Sequence, residues 1–113
     1  SVYYAVRFAR FYLNQGNSGE AKKIIDSINN YREKYRIFKN PDGVFFYIIR
    51  DLEAELAYRE GYYKKAIGIA QINLREAEAD TFVTSSIKGR EFITRDTVIA
   101  YLKQRIKLYE RDV

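Results

Sequence analysis

Residues 56–70 read LAYREGYYKKAIGIA: a helical pattern runs into Gly61 and a second begins at once behind it. Glycine is the residue that most readily takes the left-handed conformation that ends a helix, so this stretch predicts a helical hairpin. Forty-five residues earlier the same arrangement stands as FYLNQGNSGEAKKII, with Gly16 in the place of Gly61 and Ala21 in the place of Ala66. Two hairpins in one register make the chain a helical repeat.

Working outward, Val2, Ala5, Phe8, Ala9 and Tyr12 fall on one face of a helix ending near Gln15. Asn17 or Ser18 caps the next helix, whose inward stripe is Ile24, Ile28, Tyr31, Tyr35 and Phe38. Lys39-Asn40-Pro41-Asp42-Gly43 is the clearest turn, because proline lacks a donor and disfavours a helical residue before it. A third helix then buries Phe45, Ile48, Ile49, Leu52 and Leu56. The fourth begins at Tyr62 or Tyr63 and carries a narrow face of Ala66, Ile67, Ala70, Leu74 and Ala77. Residues 80–89 are polar with β-branched side chains and fit a loop or a frayed helix equally. A terminal helix over 90–111 turns Val98, Leu102, Ile106 and Tyr109 inward. Its Arg95-Asp96 pair lies 45 residues beyond Arg50-Asp51, which places it as the opening of a third repeat.

Composition narrows the function. With 113 residues the chain fits one domain, and with no Cys and no His it lacks thiolate chemistry, the commonest general base and the usual zinc ligands. No cofactor or metal is expected, and the chain reads as no enzyme. Asp51 and Glu55 share a helix face, yet two carboxylates without a supporting cluster make a poor cation site. Tyr35 and Lys39 have the spacing of a dehydrogenase pair without its dinucleotide turn, and GNSGEAK has the wrong spacing for a phosphate loop. No run reaches the ~20 apolar residues of a spanning helix. The reading is a soluble domain with the cytoplasm slightly favoured. The chain has no Met and opens inside an apolar pattern, so it reads as part of a longer protein.

The hairpins place small residues where antiparallel helices must close, and here the chain resembles the tetratricopeptide repeat family. The first hairpin matches with Ala9, Tyr12, Gly16, Ala21, Ile25 and Ile28. The second matches with Ala54, Ala57, Gly61, Tyr63, Ala66 and Ala70, and departs with Asn73 at the last position. The usual repeat of that family is about 34 residues, against 45 here, and its early Trp and closing Pro are missing. The resemblance implies an all-α fold, a right-handed superhelix of antiparallel hairpins. Five helices would make about two and a half repeats in a single domain over 1–113, with hairpin 1 over 1–39, hairpin 2 over 43–80 and the terminal helix over 90–111.

It also implies a function: a non-catalytic scaffold that binds a peptide or protein partner on its concave face, as the adaptor or regulatory segment of a larger protein. The residues projected there are Tyr3, Arg10, Asn14, Asp51, Glu55, Tyr58, Arg59 and Lys103, with Val6, Leu13, Ile48, Asp96 and Ala100 beside them. Family members that clamp acidic chaperone tails use Lys and Asn at positions that here carry Val6, Arg10, Asp51, Leu52 and Glu55, so two acids would repel such a tail. Exposed repeat ends allow pairing with a second copy.

Charge supports an alternative. Residues 1–40 hold eight Lys and Arg against three Asp and Glu, residues 41–80 five against eight, and residues 81–113 seven against four. Arg32, Arg36 and Lys39 form a basic stripe beside Tyr31 and Tyr35, a pattern that suits nucleic acid or another acidic surface.

Overall fold

The computed structural model describes residues 2–35, 43–79 and 95–113, and these form five helices with no strand among them. They are α1 (Val2–Asn14), α2 (Ser18–Tyr35), α3 (Gly43–Arg59), α4 (Tyr63–Glu78) and α5 (Arg95–Glu110). The chain is thus all-helical over the described residues. Helix α1 packs on α2, α3 on α4 and α4 on α5, while α3 also touches both α1 and α2.

The two hairpin turns close through the same pair of backbone bonds. Gly16 has φ +76° and Gly61 φ +89°. At the first turn the Gly16 N–H donates to the Leu13 carbonyl at 3.0 Å and the Asn17 N–H to the Tyr12 carbonyl at 2.8 Å. At the second, Gly61 donates to Tyr58 at 3.0 Å and Tyr62 to Ala57 at 2.8 Å. This is the paired closure of a Schellman motif, which satisfies the last carbonyls of each helix. The next helix starts alike on both sides, with Ala21 N–H on the Asn17 carbonyl and Ala66 N–H on the Tyr62 carbonyl. Asn17 adds a side-chain cap, its Oδ1 accepting from the Glu20 N–H at 3.2 Å.

Helix α3 lies at the centre because it feeds more than one core. Its Leu52 and Leu56 join Ala9 and Leu13 of α1 and Ala21 and Ile25 of α2. Its Ala54 and Ala57 join Ala66 and Ala70 of α4 and Ile106 and Tyr109 of α5. Ala77, Val98 and Leu102 close the far end of α4 against α5, with Tyr47 and Ile48 of α3 alongside. Alanines at these crossings let the backbones approach closely.

The inward face expected of α5 is the one observed: Val98, Leu102, Ile106 and Tyr109 are all buried. That of α1 needs correction. Phe8 is exposed, and the buried residues are Ala9 and Leu13 with Val6 and Tyr12 packed beside them. Positions 6, 9 and 13 fit a helical face as well as 5, 8, 9 and 12 do, and α1 is apolar on both sides, so periodicity alone could not choose. Leu13, placed on the open face by sequence pattern, is core. In α2, Tyr31 is exposed, while Ala21, Ile25 and Ile28 are buried. Phe38 lies outside the described residues.

Asn73, the departure from the repeat pattern, is fully buried and has partners. Its Nδ2 donates to the Tyr47 carbonyl at 3.2 Å, and its Oδ1 accepts from Arg50 Nη1 at 3.1 Å. Arg50 also pairs with Glu76, so one arginine of α3 ties down two polar side chains of α4. Arg95 caps α4 from the other side, donating to the Ala77 carbonyl at 2.8 Å and the Glu78 carbonyl at 2.6 Å. Asp96 is exposed. The Arg95-Asp96 pair therefore does not repeat the roles of Arg50-Asp51, despite its spacing.

Candidate functional site

On α3, Asp51, Glu55 and Arg59 recur every four residues and share one face. On α5, Tyr101, Arg105 and Tyr109 recur with the same spacing, and the two rows meet. Arg10 of α1 arrives from the other side. The result is an ionic seam joining the first helices of the two hairpins to the terminal helix.

Asp51 anchors one end. Its Oδ2 accepts from Arg10 Nη2 at 2.7 Å, and its carboxylate accepts from the Tyr101 hydroxyl at 3.0 and 3.1 Å. Glu55 anchors the other. Its Oε1 accepts from Arg59 Nε at 3.0 Å, and its Oε2 accepts from Arg105 and from the Tyr109 hydroxyl, the latter at 3.2 Å. Arg105 also lies over the Tyr109 ring at 5.2 Å from its centre, and Tyr58 packs on that ring at 4.9 Å. The Tyr58 hydroxyl donates to Asp112 beyond the end of α5.

Burial sets the electrostatics. Asp51 is 9% exposed and Glu55 6%, so each carboxylate has left water and depends on its partners. Desolvation raises the pKa of Asp51 above the ordinary carboxylate value, and the Arg10 charge and the Tyr101 hydrogen bond oppose that rise. The phenols of Tyr47 and Tyr101 are held well above the usual value, first by burial and then by the Asp51 charge. Burial likewise pushes Tyr109 up to about 12 against the opposing effect of Arg105. The Tyr101 and Tyr109 hydroxyls stay protonated and act as donors to the two carboxylates.

The expected partner-binding residues divide into two groups. Asp51 and Glu55 lie inside the seam rather than on open surface, because α1 and α5 flank α3 and cover its acidic face. Asn14, Arg59 and Lys103 are exposed, while Arg10 and Tyr58 are half-buried. Tyr3 belongs to α1, and its side chain lies outside what the structure describes. Of the basic stripe, Arg32 is half-buried on α2, where its charge acts on Glu53 of α3. Arg36 and Lys39 lie outside the described residues.

Sequence pattern missed Tyr101, Arg105 and Tyr109 as polar partners. The signal was present, since their spacing copies that of Asp51, Glu55 and Arg59, with donors set against acceptors. The seam also holds three arginines for two carboxylates, so the acids that would repel an acidic tail are already neutralised. Beside it a cavity of about 550 Å³ is lined by Tyr101, Gln104, Arg105, Lys107, Leu108 and Arg111, three cations and no acid.

Among the described residues no group of three or more Asp, Glu, His or Cys is placed to hold a metal, and no helix is long and apolar enough to cross a membrane. No family model, curated protein or solved structure matches this chain.

Proposed function

We propose that the chain is a non-catalytic interaction scaffold of stacked helical hairpins, similar in plan to the tetratricopeptide repeat and right-handed in its stacking. It holds a peptide or protein partner on the concave face lined by α1, α3 and α5. The observation that carries this reading is the pair of equivalent turns, Gly16 and Gly61, which set two hairpins in one register. In such a stack the first helices of successive hairpins line one face, and that face is the natural seat for an extended segment.

The seam supports the reading by holding the three helices at fixed spacing. A pre-set surface loses less ordering entropy on binding than a loose one. Around the neutralised acids, Arg10, Asn14, Arg59 and Lys103 offer donors, and the cationic cavity along α5 favours a partner segment that carries carboxylates. The nucleic-acid alternative is less well supported, because Arg32 is set against Glu53.

The test is selection of binding peptides from a random displayed library, followed by titration of a synthetic winner. Binding should weaken at least about tenfold in the double variant Asn14→Ala, Lys103→Glu, with helicity unchanged. Peptides that bind this variant as well as the native chain would defeat the reading. So would a winner whose affinity collapses with salt and is displaced by single-stranded nucleic acid.

A further inference from the structure

Helix α5 stands to α4 as α3 stands to α2. Leu56 of α3 packs with Ala21 and Ile25 of α2, and Ile106 of α5 packs with Ala66 and Ala70 of α4, the residues 45 further on. Leu56 and Ile106 are therefore counterparts, which sets the offset between α3 and α5 at 50 residues rather than 45. On that offset Asp51 and Glu55 correspond to Tyr101 and Arg105, the side chains that meet them in the seam.

The two helices part company on the neighbouring face. In α3, Ala54 and Ala57 close on Ala66 and Ala70 of α4, Tyr58 meets the Tyr63 ring, and Gly61 makes the turn. In α5 the same positions carry Gln104, Lys107, Leu108 and, just past its end, Arg111. With Tyr101 and Arg105 these residues line the cavity of about 550 Å³, all of them from one stretch of chain. Alanine lets a second helix come close. The long side chains of α5 hold one away and leave a polar recess, with Gln104, Lys107 and Arg111 exposed and Leu108 half-buried.

From this we infer that the recess on α5 seats an acidic segment of a partner protein, its carboxylates entering where α3 receives the alanines of α4. Such a seat presupposes the scaffold described above and adds to it the chemistry of the partner and the place where it lies. Charge complementarity selects the occupant, since the lining holds three cations and no acid. Arg105 engages Glu55 through Nη2, and its Nε is buried with no acceptor among the described residues. Lys107 and Arg111 are four residues apart and so share one side of the helix, where two carboxylates can reach them together. Nucleic acid fits less well, because single strands bind by stacking on aromatic faces. The one ring in the lining is Tyr101, half-buried and bonded to Asp51.

The probe is a ten-residue oligoglutamate with both ends blocked, titrated against the full chain at low salt. It should bind at one site, and binding should fall at least about tenfold in the double variant Lys107→Glu, Arg111→Glu. Both positions are exposed, and circular dichroism checks that helicity is kept. The variant Lys22→Glu, Lys64→Glu removes the same charge from exposed positions on α2 and α4, and it should bind as the native chain does. An equal loss in the two variants would overturn the proposal, as would the absence of saturable binding. Library-selected peptides that need Asn14 and Lys103 would in that event still uphold the scaffold. A native dimer that Lys107→Glu dissociates would assign the recess to a second copy instead. Tighter binding of a ten-nucleotide single strand, lost in the Lys107→Glu, Arg111→Glu variant, would assign it to nucleic acid.

Discussion

The two hairpins turn in the same way and are buried very differently. Helix α1 buries Ala9 and Leu13 and leaves an aromatic face in solvent. Helix α3, its counterpart, buries Ile49, Leu52, Ala54, Leu56 and Ala57, and takes Asp51 and Glu55 out of water as well. Local sequence makes each hairpin, and neighbours decide what it hides. An outer helix keeps aromatics in solvent, but a central one needs a partner for every charge it carries.

The largest test of that contrast is Glu55→Ala. It strands Arg105 in a partly dry seam, and removing one member of a buried pair costs about 3–5 kcal/mol. Denaturant unfolding should show that loss, and a change below about 1 kcal/mol would mean the seam is solvated. Next comes Leu52→Ala on α3, expected to cost about 2–5 kcal/mol through lost burial and a cavity. Its foil, Phe8→Ala on α1, should stay within about 0.5 kcal/mol. Equal losses at the two sites would erase the distinction between inner and outer helix.

Smaller effects probe what the hairpins share. Gly16→Ala and Gly61→Ala should each cost about 1–2 kcal/mol, since an L side chain is strained at positive φ. Nothing lies within 4 Å of a Cβ added at either glycine, so the two losses should match. Unequal losses would break the equivalence of the turns. Least visible at neutral pH is the tyrosine contribution. In the folded chain, burial raises the pKa values of Tyr47, Tyr101 and Tyr109 above the ordinary phenol value of about 10. The unfolded chain loses these protons first, so stability should hold below about pH 10 and fall as pH rises above it. Tyr101→Phe should flatten part of that fall, and a fall of the same steepness in both proteins would remove Tyr101 from the account.

Much of the architecture was legible because it is local. Gly16 and Gly61 announce their turns, and the inward face of α5 follows from spacing alone. The inward face of α1 was not legible, because SVYYAVRFARFYL is apolar on two sides and only packing on α2 and α3 selects Ala9 and Leu13. The seam was half legible. Asp51 and Glu55 stood out as a pair, yet their partners other than Arg59 lie 41 to 54 residues away in the chain, beyond the reach of any local pattern. Asn73 read as a break in the repeat for a similar reason, since the Arg50 and Tyr47 groups that satisfy it sit on another helix.

The turn glycines have one more consequence, and it concerns chirality. At both positions the space around the missing Cβ is open and only the hand of the backbone forbids a side chain. A mirror-image residue removes that objection. Chemical synthesis with D-alanine at 16 and 61 should therefore give a chain that folds as before and is more stable by about 0.4–1 kcal/mol per site, because the unfolded chain loses freedom it would otherwise regain. The same two atoms would weaken the protein in one configuration and strengthen it in the other.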